Sequence, residues 1–288
     1  MSIDVDRIVR ENERLTREVR ELRASLNALE ASRWWRLNPR VALRRFRGGN
    51  RAQAEGEERP LGPNFPIDFD EDDKQLYRRV EAFTMTTPPR IYALARAVDY
   101  VVRRRIPGAV VECGVWRGGS LMAAALTLLR LDVTDRDLYL FDTFAGMTAP
   151  SDEDVRRTGE RAADLLAEES RDADVWAIAS LDDVREAMLG VGYPAARIHF
   201  VQGPVEQTLP ANAPDEIALL RLDTDWYAST KHELVHLYPR LAPGGVLILD
   251  DYGFWQGARQ AVDEYLSEHD ISILLNRIDH TARVAVKT

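Results

Sequence analysis

Apolar residues along this chain follow two rhythms. Short unbroken runs at 109–113, 138–141, 198–201, 217–222 and 246–249 read as strands buried on both faces. Between them, apolar positions recur at helical spacing over 71–84, 88–105, 120–131, 181–189, 230–241 and 256–269, and the charged stretch 152–170 reads as a further helix. Two last apolar runs, 271–275 and 282–286, read as a closing hairpin. Strand and helix alternating in this way predict an α/β protein. The expected architecture is a doubly wound, Rossmann-like parallel sheet with an antiparallel C-terminal edge.

The first residues follow a different rule. Val5, Asn12, Val19 and Leu26 occupy a positions, and Ile8, Leu15, Leu22 and Leu29 occupy d positions of a heptad. That seam predicts an N-terminal helical coiled coil over 1–31, with Asn12 as the polar a residue that selects a parallel dimer. The alternative is a single amphipathic helix lying on its own domain. The segment 32–62 then carries Arg33, Trp34, Trp35, Arg36, Arg40, Arg44, Arg45, Phe46 and Arg47 without an acid among them. It ends in a linker rich in glycine and proline. Tryptophan with arginine suits an anionic membrane surface or an acidic partner, and the plainer reading is a positive collar. The stretch from Ser32 to Pro39 resembles a segment found beside coiled coils in bacterial surface-glycan enzymes. The third region, 63–288, holds the strand–helix alternation.

Composition narrows the function classes. The chain has 288 residues, 45% hydrophobic and 30% charged, with a net charge of -9. That charge argues against nucleic-acid binding. The single Cys113 lies in an apolar run, excludes an internal disulfide, and reads as a small core residue. Asp4, Asp6 and Arg7 open the chain without a signal peptide's pattern, and no run reaches the roughly 18 apolar residues of a membrane span. The expected location is cytoplasmic, or peripheral to the inner face of the membrane through residues 33–47.

The chemistry sits at strand ends. Leu222-Asp223-Thr224-Asp225-Trp226 and Leu249-Asp250-Asp251 each place carboxylates where a parallel strand stops, the place where open α/β sheets build their sites. Grouped carboxylates repel unless a cation neutralises them, and an oxygen-only donor set suits Mg2+. The plainer alternative is that the acids cap loops. The first strand runs into Glu112-Cys113-Gly114-Val115-Trp116-Arg117-Gly118-Gly119-Ser120 and the second ends at Phe141-Asp142-Thr143. The glycine spacing is not that of a dinucleotide fold. A small turn with a preceding acid suits S-adenosylmethionine, the turn passing the amino-acid end and Asp142 taking the ribose. The alternative is a tight turn without a ligand.

Taken in order, Glu112 to Ser120, Phe141 to Met147, Leu222 to Trp226, Asp250-Asp251-Tyr252 and the segment from Phe83 to Arg90 resemble the macrocin O-methyltransferase family over about residues 63–280. The domain is more distantly similar to catechol O-methyltransferases. The resemblance implies methyl transfer from S-adenosylmethionine to a sugar hydroxyl with Mg2+. It implies Asp223, Asp250 and Asp251 as metal ligands and Asp225 as general base. His280, which the resemblance does not assign, is the next candidate base, with a structural histidine near a strand as the plainer reading. It implies Glu112, Gly114 and Ser120 around the methionine end, with Asp142 and Thr143 on the rest of the cofactor. The acceptor would be a sugar or glycan of a cell surface or a glycosylated natural product. A small aromatic diol, or a non-catalytic scaffold, are the competing readings. The sequence departs from the family pattern at Pro204 and in the non-aromatic ending from Ile278 to Val286.

Other residues carry bland readings beside sharper ones. His232 and His236 read as a helix face before a metal pair. Trp226, Trp255 and Phe254 stack on a sugar or pack in the core. Residues 149–183 form a lid or solvated helices.

If the heptad dimerises the chain, removing residues 1–50 will lower the number of copies in the sedimenting assembly, beyond the mass of the deleted residues. An unchanged number of copies removes the arm as the dimer element.

Overall fold

A computed structural model describes residues 65–168 and 176–288. The expected coiled coil and the segment 32–62 lie outside the described residues, which all belong to the strand–helix region.

Five parallel strands form the body of the sheet: β1 (Ala109–Cys113), β2 (Leu138–Asp142), β3 (Ile198–Gln202), β4 (Ile217–Leu222) and β5 (Leu241–Leu249). At the edge, a two-residue β6 (Asn276–Arg277) pairs antiparallel to β7 (Arg283–Val286), which itself pairs antiparallel to β5, giving the order β3-β2-β1-β4-β5-β7-β6. The winding reverses between β1 and β4, where an open α/β sheet leaves a crevice beyond its strand ends. Every residue of β1 and β4 is buried, as the unbroken apolar runs require.

Two helical layers produce that burial. Helices α1 (Glu71–Val80), α2 (Pro88–Arg103) and α3 (Gly119–Arg130) pack on one face around Val110, Leu138, Leu219 and Ile248. The other layer uses α7 (Tyr227–Leu237) and α8 (Gln256–Glu268), against Val111, Phe141, Leu220 and Leu247. The short α4 (Ala162–Glu168), α5 (Leu181–Gly190) and α6 (Val205–Thr208) fill the connections before β4. Alternation along the strands sets the site: Glu112 and Arg221 are register partners on the face of Val110 and Leu219, next to the loop before α2.

The ladder runs on past the strand ends. Gly114 N–H donates to Phe141 O at 2.8 Å, Asp223 N–H to Cys113 O at 2.9 Å, and Asp250 N–H to Leu222 O at 3.0 Å. These bonds set Gly114, Asp223 and Asp250 side by side. Gly114 has φ +80°, and a Cβ there would overlap the Asp223 carbonyl. Only glycine lets the first turn pass that close to the acidic loop.

Three expected elements differ. Residues 152–161 are not helical, and only Ala162–Glu168 of the expected helix forms. The fully buried Asp154 takes Ser151 N–H at 2.7 Å and Ser151 Oγ at 2.8 Å, bending the chain into a turn, and Gly159 turns it again at φ +98°. Residues 271–275 are not a strand. Ile271, Ile273 and Leu275 cover the second core while Leu274 is exposed, so the alternation is real but has no ladder partner. β5 starts at Leu241, ahead of its apolar run, because Leu241 pairs with Ile217 of β4, and Gly244 and Gly245 then bond the Lys287 backbone at 2.7 and 2.8 Å.

Gly114→Ala and Gly192→Ala separate space from backbone conformation. Gly192 has φ +85° but open space around a Cβ, so its change should cost about 1–2 kcal/mol. Gly114→Ala should cost clearly more in chemical denaturation; equal losses would contradict the close-approach account.

Candidate active site

The ends of β1, β2, β4 and β5 open into one cavity of about 470 Å3. All ten expected site residues lie there: Glu112, Gly114, Ser120, Asp142, Thr143, Asp223, Asp225, Asp250, Asp251 and His280. Their placements differ in ways that bear on their chemistry.

Glu112 and Ser120 are buried, 1% and 5% exposed. The Glu112 Oε1 accepts from Arg221, whereas Oε2 is buried without a protein partner. Burial raises the Glu112 pKa to about 7, against the pull of Arg221. An orphaned buried carboxylate oxygen at the end of β1 fits an ammonium group approaching from the cavity. Asp142 is busier than expected. Its Oδ2 takes the N–H of Val115 at 2.8 Å and of Trp116 at 3.1 Å, and Oδ1 takes that of Phe144 at 2.7 Å. Its carboxylate therefore shapes the glycine turn first, and Oδ1 retains the capacity for a further hydroxyl. The Thr143 hydroxyl is committed within its own turn, donating to Gly146 O at 2.6 Å.

Asp223, Asp250 and Asp251 each offer an oxygen within 4.8 Å of the others. Burial and mutual repulsion raise the pKa values of Asp223 and Asp251, and the Asp251 Oδ2 is buried without a partner. Two guanidiniums stand among these acids. Arg221 reaches Glu112, Asp223 at 2.7 Å and Asp250, with Thr86 Oγ1 at 3.1 Å; its side chain is 3% exposed. Arg90 binds the other oxygen of Asp250 and Asp279 at 2.7 Å. Glu112, Asp223, Asp225, Asp250 and Asp251 thus make five acids against two arginines. Acids outnumber arginines, every donor of Asp223, Asp250 and Asp251 is oxygen, and the Asp251 Oδ2 has no partner: these residues fit a hard divalent cation such as Mg2+.

Asp225 lies beside this group with φ +68°, a conformation that costs an ordinary L residue about 1–2 kcal/mol. Its Oδ1 takes the indole N–H of Trp255 at 2.8 Å. Burial, then the neighbouring Asp223, push its pKa up to about 8. A strained, half-buried carboxylate aimed into the cavity is suited to handling a proton. His280 is exposed on the loop before β7 and lies at the rim.

Among the aromatic residues, Trp226 and Trp255 are buried, 2% and 6% exposed, and stack at 5.1 Å, so core packing holds for both. Phe254 stays exposed and lines the cavity. His232 and His236 stack on each other at 4.4 Å, apart from the acidic cluster. Residues 151–161 are tied to the site's wall: Asp154 Oδ1 accepts from Tyr227 N–H at 2.7 Å, and Gln256 Nε2 donates to Arg156 O at 2.9 Å.

Sequence reading gave no role to Arg221, took Thr86 and Arg90 only as part of a family-like segment, and offered Trp255 as a sugar-stacking or core residue rather than a partner of Asp225. Arg221 carries a signal, since a charge inside the run Ala218-Leu219-Leu220-Arg221-Leu222 must find buried carboxylates. Arg90 and Trp255 show no such signal, because their partners are distant in sequence.

A model of the family described as Macrocin-O-methyltransferase (TylF) matches residues 53–286. The chain is 35% identical over 198 residues to the mycinamicin III 3''-O-methyltransferase of Micromonospora griseorubida, covering 69% of this chain and 76% of that one. It is 34% identical over 198 residues to the demethyldecarbamoylnovobiocin O-methyltransferase of Streptomyces niveus, covering 69% and 73%. The solved structure of the O-methyltransferase NovP superposes with a TM-score of 0.63 at 32% identity, over 72% of this chain and 82% of that chain.

Asp251→Asn should weaken Mn2+ binding, read by electron paramagnetic resonance, at least about 10-fold. An unchanged affinity would place any ion elsewhere.

Proposed function

The chain belongs to the macrocin O-methyltransferase family and is an O-methyltransferase, and from that premise we propose that it methylates a sugar hydroxyl, using S-adenosylmethionine and Mg2+. One observation carries the reading. The candidate ligands Asp223, Asp250 and Asp251, together with Asp225, share a cavity with the Glu112, Gly114 and Ser120 turn. Donor and acceptor ends of a transfer reaction thus face one space.

When bound, Mg2+ would lower the pKa of a coordinated sugar hydroxyl, and S-adenosylmethionine would supply the methyl group. The protein does the rest. Asp223, Asp250 and Asp251 would hold the ion at the ends of β4 and β5. Glu112 offers its free oxygen to the cofactor's ammonium, and Gly114 lets the chain pass close by. Asp225, fixed by Trp255, stands where it would take the hydroxyl proton as the methyl moves in line. His280, exposed at the rim, is the less suited base.

Trp226 and Trp255 are core residues, and the aromatic side chains lining the cavity are Trp116, Phe141 and Phe254, so it is the family membership that favours the sugar reading over the aromatic diol. The full set of acids in place argues against a scaffold that has lost catalysis. The named relatives act on mycinamicin III and on demethyldecarbamoylnovobiocin, which supports glycosylated natural products as acceptors. The heptad of residues 5–29 and the six arginines between 33 and 47 support the alternative, a dimer tethered to a membrane or to a cell-surface glycan assembly.

The test is a methyl-transfer assay against glycosides, lipid-linked glycans and nucleotide sugars. Transfer to a sugar acceptor should stop in excess chelator and return with Mg2+. Asp225→Asn should lower kcat roughly 100-fold while cofactor affinity holds. Full turnover in chelator would remove the metal, and an unchanged kcat would move the base.

A further inference from the structure

We infer that Arg221, braced by Arg90, is a resident cation that keeps the carboxylates in ligating position whether or not a divalent ion is bound. The inference rests on the metal reading of Asp223, Asp250 and Asp251.

Arg221 projects from the middle of the sheet, and its register partner is Glu112. One nitrogen, Nη1, bonds both Glu112 Oε1 and Asp223 Oδ2; the other, Nη2, bonds Asp250 Oδ1 and Thr86 Oγ1. A single planar group therefore ties β1, β4, β5 and the loop before α2. Arg90 takes Asp250 Oδ2 and is itself fixed by Asp279 and Thr281. Both oxygens of Asp250 are anchored from behind, so its carboxylate is fixed in rotation. Asp223 is anchored through Oδ2, which leaves Oδ1 for a ligand. Asp251 differs, since its buried Oδ2 meets no protein partner. Two of the three ligands thus stay in place without an ion, and the third is the one left for the ion to satisfy.

The consequence is functional. An ion that arrives finds a built site, and one that leaves does not collapse it. Arg221 is a positioning residue here, acting through the ligands. Take away its charge, and Glu112, Asp223 and Asp250 face one another with Arg90 alone to offset them. The fold would then depend on the divalent ion. Loss of packing alone would lower stability equally with and without the ion, so the two roles separate.

The test is thermal unfolding of the full chain, wild type, Arg221→Met and Arg221→Lys, in chelator and in Mn2+, with Mn2+ binding read separately by paramagnetic resonance. The wild type should shift little with Mn2+. Arg221→Met should unfold about 10 °C or more lower in chelator and recover at least half of that loss with Mn2+. Arg221→Lys, which keeps the charge but loses the fork, should fall between them. If Arg221→Met does not fold, a larger Mn2+ shift in Arg221→Lys than in wild type supports the inference, and an equal shift overturns it. Arg221→Met destabilised equally in both conditions, or not at all, also overturns it. A wild type that binds no Mn2+ removes the metal reading and this inference together, whereas Mn2+ binding with equal shifts in all three proteins removes the inference alone.

Discussion

Five carboxylates converge where β1, β4 and β5 end, and burying them together is unfavourable unless positive charge goes in with them. Arg221 and Arg90 supply part of that charge from within the chain. Removing one partner of a buried ion pair costs about 3–5 kcal/mol, comparable to a large core truncation. The network therefore constrains the sheet as strongly as the apolar layers around it. It also explains why β1 and β4 must hold their register, since one residue of slip would turn Glu112 and Arg221 to opposite faces.

From that constraint the site is built in steps. Reversal of winding between β1 and β4 opens the crevice, and Gly114 lets the glycine turn lie against the Asp223 loop. Asp142 closes the same turn from β2 by holding Val115 and Trp116. Trp255, at the start of α8, reaches back to Asp225, and the turn around Asp154 seats on the start of α7. Each contact couples an element that makes the fold to a group suited to chemistry. The chain belongs to an O-methyltransferase family, and our proposed reading of the cavity has a cofactor end, a metal end and a proton acceptor.

Much of this was legible in the sequence because two periods differ. Unbroken apolar runs marked the buried parallel strands and acids just past them marked the strand-end cavity, while the family resemblance supplied much of the candidate set; all ten candidates line that cavity. Strand order was not legible, because periodicity says which face is buried and nothing of which strand lies alongside. The charged run at 152–170 misled for a related reason. A helix surface and a turn stitched by Asp154 have the same composition, and only the buried bonds to Ser151 and Tyr227 tell them apart. Asp142 and Thr143 line the cavity, and their bonds to the turn could not be foreseen from spacing. Arg90 joins Asp250 and Asp279 across more than half the chain, a contact that only the folded topology creates.

The central claim is that these strand-end carboxylates and their two arginines form a metal site beside the cofactor cavity. Anomalous scattering from crystals grown with Mn2+ and S-adenosylhomocysteine tests it most directly. The account expects one peak about 2.1 Å from oxygens of Asp223, Asp250 and Asp251, with Arg221 still bonded to Glu112 and the cofactor's ammonium at the other Glu112 oxygen. A peak elsewhere, no peak at saturating Mn2+, or an Arg221 withdrawn from the ligands would contradict it.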